Sequence, residues 1–387
     1  MVLSPTIQST LLRYQPVINK ALRSAISTLA EQSDAANLAP FYGQMRYHLG
    51  WADADFSPIQ SKSGKLIRPT LLLLAYEATG AWDLAGSDTI HPQGMTSRRQ
   101  VILEGAPHSL QRALPAAAAI ELTHNFTLIH DDVEDGDTER HHRSTIWNIW
   151  GIPQSINTGD GMFALSRLTL WGVLDHGVEP AIAVRLGALL DHTCLVLAEG
   201  QYLDMSFEGR QDISVAMYVD MINRKTAALM ACAAEMGARL GTRDEETITR
   251  LRSFGQALGI AFQVRDDILG VWATTAELGK TPSGDLYRRK KSLPILHALE
   301  HANLKDQQRL STLYQQEAPL TPEQIAEILA IFERTETRAY CSAFLDAQCQ
   351  LAHEALTHVP RLNNSVSQHA LQDLEHLVRF LENTINP

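Results

Sequence analysis

Two runs of aspartate dominate the chemistry this sequence offers. One is Asp131, Asp132 and Asp135 in LIHDDVEDGD, and the other is Asp266 and Asp267 in FQVRDDILG. Each follows an apolar stretch of helical character. On a helix, positions i and i+4 share a face, so Asp131 and Asp135 point the same way with Asp132 beside them. Three carboxylates so close together repel. One like-charged pair at about 4 Å costs on the order of 4 kcal/mol at an effective dielectric near 20. A multivalent cation removes that cost. No set of Cys and His with tetrahedral metal-site spacing stands beside the acids, so the expected ion is oxygen-loving Mg²⁺ rather than zinc. Mg²⁺ held by few carboxylates completes its shell with water and substrate phosphate. The acids therefore point to an enzyme that handles diphosphates.

Cations follow the same logic. Ser63-Gly64-Lys65-Leu66-Ile67-Arg68-Pro69 puts two cations three residues apart before a helix, with a glycine that lets backbone approach a ligand closely. Alone, such a pair is more often solvated surface. After the first acids comes Thr138-Glu139-Arg140-His141-His142-Arg143. Lys225-Thr226 lies inside an apolar helical run, where a lysine is costly to bury without a partner. A phosphate supplies that partner; the bland alternative is a lysine that snorkels to solvent. Gly279-Lys280, Asp285 and the basic run Arg288–Lys291 trail the second acids. Acids trailed by cations thus occur twice.

The elements that must carry these residues read as helices. Residues 6–31 are amphipathic, and 68–80 form an apolar helix ended by Gly80. Pro115 and a run of alanines start the helix that ends in the first acids. Further helices are predicted over 157–178, 181–206, 212–239, 243–273, 292–302, 305–315, 321–350 and 366–384. Residues 82–110 are rich in Gly, Pro, Ser and charge and read as a long surface-loop insertion. No period-two alternation stands out. The expected fold is all-α: one large bundle of antiparallel helices around a central cavity, spanning 1–387 as a single domain.

Composition narrows the function. Of 387 residues, 45% are hydrophobic and 20% charged, as in an ordered globular protein. A net charge of −11 argues against a nucleic-acid surface, which needs a basic patch. The four cysteines form no CxxC pair, and with the absence of a secretory h-region they point to a reducing, cytoplasmic setting. No stretch reaches the ~18 uninterrupted apolar residues of a membrane span.

From about residue 35 to about 350 the ordered motifs resemble those of the all-trans isoprenyl diphosphate synthases, the polyprenyl synthetases. The family's DDxxD pattern matches Asp131–Asp135, and its second acid motif matches Asp266-Asp267. Its GGKxxRP-type segment matches Ser63–Pro69, its Lys-Thr pair Lys225-Thr226, and its later Gly-Lys Gly279-Lys280. The resemblance implies a short-chain prenyltransferase of geranylgeranyl or farnesyl type, acting as a homodimer. It implies three Mg²⁺ ions bound through Asp131, Asp135 and Asp266, with Asp132 among the catalytic residues and Asp267 supporting Asp266. Arg140, Lys225 and Lys280 would stabilise departing pyrophosphate, assisted by Thr226 and Gln263. Isopentenyl diphosphate would sit on Lys65, Arg68 and His124, beside an allylic diphosphate partner.

Four positions depart from the family pattern. Ser63 replaces a glycine, His141 an arginine, Ser144 a proline, and Gly270 the third aspartate of the second motif. Phe126 and Thr127, one turn before Asp131, are the expected floor for the growing chain, and a lone aromatic at the deeper position suggests a C20 product with C15 as runner-up. A class I terpene cyclase and a non-catalytic partner subunit remain the alternative readings.

Overall fold

The alanine-rich run behind Pro115 builds the helix that delivers the first acids. In a computed structural model, described for residues 5–32, 36–59, 64–80, 108–273 and 283–382, that helix spans Leu114–Glu134. It is α4 in the order α1 (Pro5–Gln32), α2 (Ala39–His48), α3 (Ile67–Ala78), α4, α5 (Ile146–Trp150), α6 (Ile152–Trp171) and α7 (Pro180–Phe207). Then follow α8 (Val215–Ile222), a π-turn (Asn223–Ala227), α9 (Ala228–Gly241) and α10 (Glu245–Trp272). The chain continues with α11 (Gly284–Tyr287), α12 (Leu293–His301), α13 (Leu304–Gln315), α14 (Pro322–Arg334), α15 (Thr337–Thr357) and α16 (Ser365–Glu382). The fold is an all-α antiparallel bundle around a cavity.

Local chemistry sets the helix starts. Pro sits in the first turn of α4, α6, α7, α12 and α14, where no backbone donor is needed. Asp244 caps α10 by accepting from the Thr247 backbone N–H at 3.0 Å, and Thr321 with Gln324 forms a capping box on α14. Inside, α4 packs chiefly on α6, α3 on α9, and α10 on both α9 and α15, while α16 closes against α3 and α1. One continuous apolar core runs from Ile7 to Leu381.

Several expectations change in detail. The helix expected over 212–239 is α8, a π-turn and α9. The one expected over 321–350 breaks between α14 and α15, where Glu336 takes a left-handed φ of 52°. Neither α2 nor the hairpin of β1 (Glu139–Arg140) and β2 (Arg143–Ser144) was foreseen. Two-residue strands are too short to show alternation. The hairpin turn places His141 and His142 at positive φ, 51° and 61°, the geometry of a type I′ turn. Of the expected 82–110 loop, residues 82–107 lie outside the described residues, and His108–Leu110 belong to a short 3₁₀ helix, His108–Arg112. Among the described residues, α7 is long and apolar enough to cross a membrane by length and composition alone. It is interrupted by Arg185, Asp191 and Glu199. Ile182, Leu186, Leu190 and Leu197 on it are buried, while Val184, Leu195, Tyr202 and Met205 are exposed.

Candidate active site

The first acids sit where α4 runs out. Asp135 is the C-terminal cap, its N–H donating to the Asp131 carbonyl at 2.8 Å. Carboxylates at this end face the negative pole of the helix, which disfavours their charge. Among the described residues, the nearest charged partner of Asp131 is the Lys225 ammonium at 4.0 Å. Burial pushes its carboxyl up to about 6, opposed mainly by Lys225 and aided by Asp135. Asp132 is also lifted to about 6 by burial, against Arg140. It is 2% exposed and accepts from Arg140 Nε at 2.7 Å. Asp132 thus orients Arg140, while Asp131 and Asp135 stay available.

Lys225 stands on the π-turn, a distortion that recurs at functional positions. Its ammonium donates to Asp204 of α7 at 2.6 Å. Burial works against its charge, but Asp131 and Asp204 outweigh that and raise its value. Gly200 makes the approach possible: a Cβ there would lie 2.4 Å from the Lys225 backbone nitrogen. Thr226 donates to Gln263 Oε1 at 3.2 Å, and Gln263 donates onward to Asp267 at 3.1 Å.

The second acids split. Asp267 is fully buried and accepts from the Tyr218 hydroxyl and the Leu293 N–H, with Lys290 Nζ at 3.5 Å. Asp266 is exposed. Desolvation by its surroundings raises its carboxyl, opposed by Arg265, Lys290 and Lys65. Asp135, Lys225, Thr226, Gln263 and Lys290 line one cavity of about 840 Å³.

A second cationic station lies on α3 and α4. Arg68 Nη1 is 3.2 Å from His124 Nε2, and both Arg68 and Lys65 feel Asp266. Glu121, one turn before His124, is buried and is held by the Asn125 amide at 3.1 Å. Burial and the nearby cations push His124 well down, so its ring is neutral at physiological pH. His48 of α2, not foreseen from sequence, is lowered to about 3 by burial and by Arg140, His141 and Arg143.

Other candidates scatter. Exposed His141 occupies the hairpin turn. Arg143, its neighbour but one, donates to the Tyr47 and Ala52 carbonyls at 2.8 and 2.7 Å and lies over the Tyr47 ring, so it braces α2. Phe126 meets Phe163 of α6 edge-on at 5.2 Å, and Thr127 bonds its own helix at the His124 carbonyl. Lys280 lies outside the described residues. Sequence reading also passed over Glu121, Asp204 and Tyr218. Glu121 carried a signal, its three-residue spacing to His124; Asp204 and Tyr218 carried none.

Among the described residues no three acidic, His or Cys side chains converge into a ready-made ion cage. Asp131 and Asp135 offer under-neutralised oxygen donors at the end of α4, and Asp266 offers a third that feels Lys65. That set fits Mg²⁺, which takes few protein carboxylates and completes its shell with water and phosphate.

The polyprenyl synthetase profile matches residues 51–332. A geranylgeranyl diphosphate synthase of Mycobacterium tuberculosis is 33% identical over 89% of this chain and 86% of its own length. A (2E,6E)-farnesyl diphosphate synthase of Mycobacterium bovis is 32% identical over 95% and 93%. Among solved structures, a polyprenyl synthetase from Streptomyces coelicolor superposes with a TM-score of 0.79 at 32% identity, covering 97% of this chain and 99% of that one.

Proposed function

The chain belongs to the polyprenyl synthetase family, and on that footing we propose that it condenses isopentenyl diphosphate head-to-tail with an allylic diphosphate, giving mainly the C20 geranylgeranyl product. The observation that carries this reading is the pair of cationic stations. Lys225, Thr226 and Gln263 stand beside Asp131 and Asp135, while Lys65 and Arg68 feel the charge of Asp266 and Arg68 meets His124. Two diphosphates need two stations; a cyclase needs one.

In this reading the allylic C–O bond breaks and pyrophosphate leaves onto Lys225, which Asp204 holds in place. Asp131, Asp135 and Asp266 would hold Mg²⁺, which would neutralise the charge that develops on the leaving oxygen. Thr226 donates a hydroxyl to the same group, and Lys280 is a further expected cation. Arg140, locked by Asp132, adds a fixed fork of donors. Lys65 and Arg68 hold isopentenyl diphosphate, with neutral His124 as a hydrogen-bonding partner and His141 at the rim. The isopentenyl double bond supplies the electron pair of the new C–C bond, and loss of a proton restores an alkene. Apolar walls exclude water that would quench the cation.

Phe126, braced by Phe163, supports a floor one turn below Asp131. The outer face of α6 and α7, with Ile152, Ile156, Leu168, Val184 and Leu195 exposed, supports pairing with a second copy. One continuous core supports a single catalytic unit, and four free cysteines support a reducing cytosol.

Mass spectrometry of products from each allylic primer with isopentenyl diphosphate and Mg²⁺ tests the reading. C20 is expected, and Phe126→Ala should give longer chains. A C15 product alone makes it a farnesyl synthase. Pyrophosphate release that needs no isopentenyl diphosphate makes it a cyclase, and no turnover makes it a partner subunit.

A further inference from the structure

Position 270 is where the second acid cluster lacks a carboxylate. Gly270 lies four residues after Asp266 and three after Asp267, on the same face of α10. The space beside it is not empty. A Cβ built on Gly270 would stand 2.1 Å from Asp285 Oδ2 and 2.5 Å from its Cγ. A carboxylate from α11 therefore fills the place that a side chain at 270 would take.

That carboxylate is held there. Ser283, at the start of α11, donates to the Val271 carbonyl at 2.9 Å and pins α11 on the end of α10. Asp285 is 7% exposed. One of its oxygens accepts from Arg288 at 2.8 Å, a pair whose arginine is mostly in solvent and contributes little. Its other oxygen is 3.9 Å from Lys290 Nζ, which also lies 3.5 Å from Asp267. The Lys290 N–H donates to the Asp285 carbonyl at 2.9 Å, so backbone and ammonium are both tied to this residue. Lys290 in turn lines the cavity with Lys225 and Asp135.

We propose that Asp285 is a positioning residue that supplies, from α11, the carboxylate missing at position 270, and that with Asp267 it holds Lys290 toward the diphosphate cavity. The proposal rests on reading that cavity as a diphosphate site. Lys290 keeps 44% of its side chain in solvent, and the two acids at ion-pair distance bias its ammonium toward the cavity rather than away from it.

The test is calorimetric binding of inorganic pyrophosphate to the full chain without metal, alongside thermal melting. The variants are Asp285→Asn, Lys290→Ala, both together, and Gly270→Asp with Asp285→Gly. Simple removal of a negative charge beside an anion site tightens binding; loss of positioning weakens it. Asp285→Asn should weaken pyrophosphate binding about five- to tenfold, and that loss should vanish in the Lys290→Ala background, as a coupled pair requires. Moving the carboxylate to α10 in the Gly270→Asp, Asp285→Gly chain should restore affinity to within about twofold of wild type, by the same coupling. Unchanged or tighter binding by a folded Asp285→Asn overturns the proposal, as does an equal loss with Lys290 absent. Prenyl turnover is not needed for this result. A wild type that makes no prenyl product yet shows the cycle sinks the proposed function and leaves the role of Asp285 standing.

Discussion

The first acid cluster ends a helix, and the second lies within one. At the end of α4, Asp131 and Asp135 face the negative helix pole with no hydrogen-bonding cation among the described residues, and burial holds Asp131 near 6. Within α10, Asp267 is matched on every side by Tyr218, Gln263, Lys290 and the Leu293 N–H. One cluster is short of positive charge and suited to receive it. The other is tied into hydrogen bonds that only partly offset the burial raising its carboxyl, and is suited to hold its neighbours still, leaving Asp266 as its one exposed carboxylate. The same residue type thus does different work according to what the fold brings to it.

The sharpest way to break this contrast is kinetic. Asp131→Ala and Asp266→Ala should each lower kcat by about 10²–10³-fold, the scale seen when one preorganised transition-state contact is removed. Urea midpoints should stay at wild type or, for Asp131→Ala, rise, because a carboxylate held against burial costs stability. Near-normal turnover in either variant would remove the receiving role.

Asp267→Ala should do the opposite and act on stability first. It strands the Tyr218 hydroxyl and the Leu293 N–H, for a loss of about 3–5 kcal/mol by urea denaturation. A variant as stable as wild type would show that this cluster is not the rigid one.

Gly200→Ala probes the support behind the first cluster. The added Cβ must push the π-turn away from α7, which costs about 1–3 kcal/mol as overpacking does. Because Lys225 moves with the turn, KM for the allylic substrate should rise while KM for isopentenyl diphosphate holds. Equal changes in both would place the damage in general folding.

The smallest effect is in pH. A carboxyl with a raised value keeps its proton to higher pH, and a protonated carboxyl cannot ligate a metal. Mg²⁺ affinity in the presence of pyrophosphate should therefore be full well above pH 6 and fall several-fold as pH drops through about 6, where Asp131 and Asp132 take up protons. Calorimetry in buffers of different ionisation enthalpy should show proton uptake by solvent on binding near that pH. Flat affinity across the range would mean that protonation of the first cluster does not compete with the metal.

Much of the bundle was legible because helices announce themselves locally. Pro115 and its alanines start α4, and Lys225 inside an apolar run carried its own signal of a charged partner. What escaped detection is what depends on partners distant in sequence. The π-turn at Asn223–Ala227 has ordinary helical residues, and only the close passage of α7 at Gly200 explains its place. His48 lay in a short helix with no motif around it, and Arg143 looked like a free cation until Tyr47 and Ala52 claimed it.

The sequence alone determined most of the helices, the two acid runs and the cations near them, since periodicity and spacing are properties of neighbouring residues. It could not say which aspartate of each run is exposed and which is locked. That was decided when α7 brought Asp204 to Lys225, α8 brought Tyr218 to Asp267, and α11 laid Asp285 against Gly270. A carboxylate's charge state and freedom depend on what surrounds it within a few ångströms, and those surroundings exist only in the folded chain.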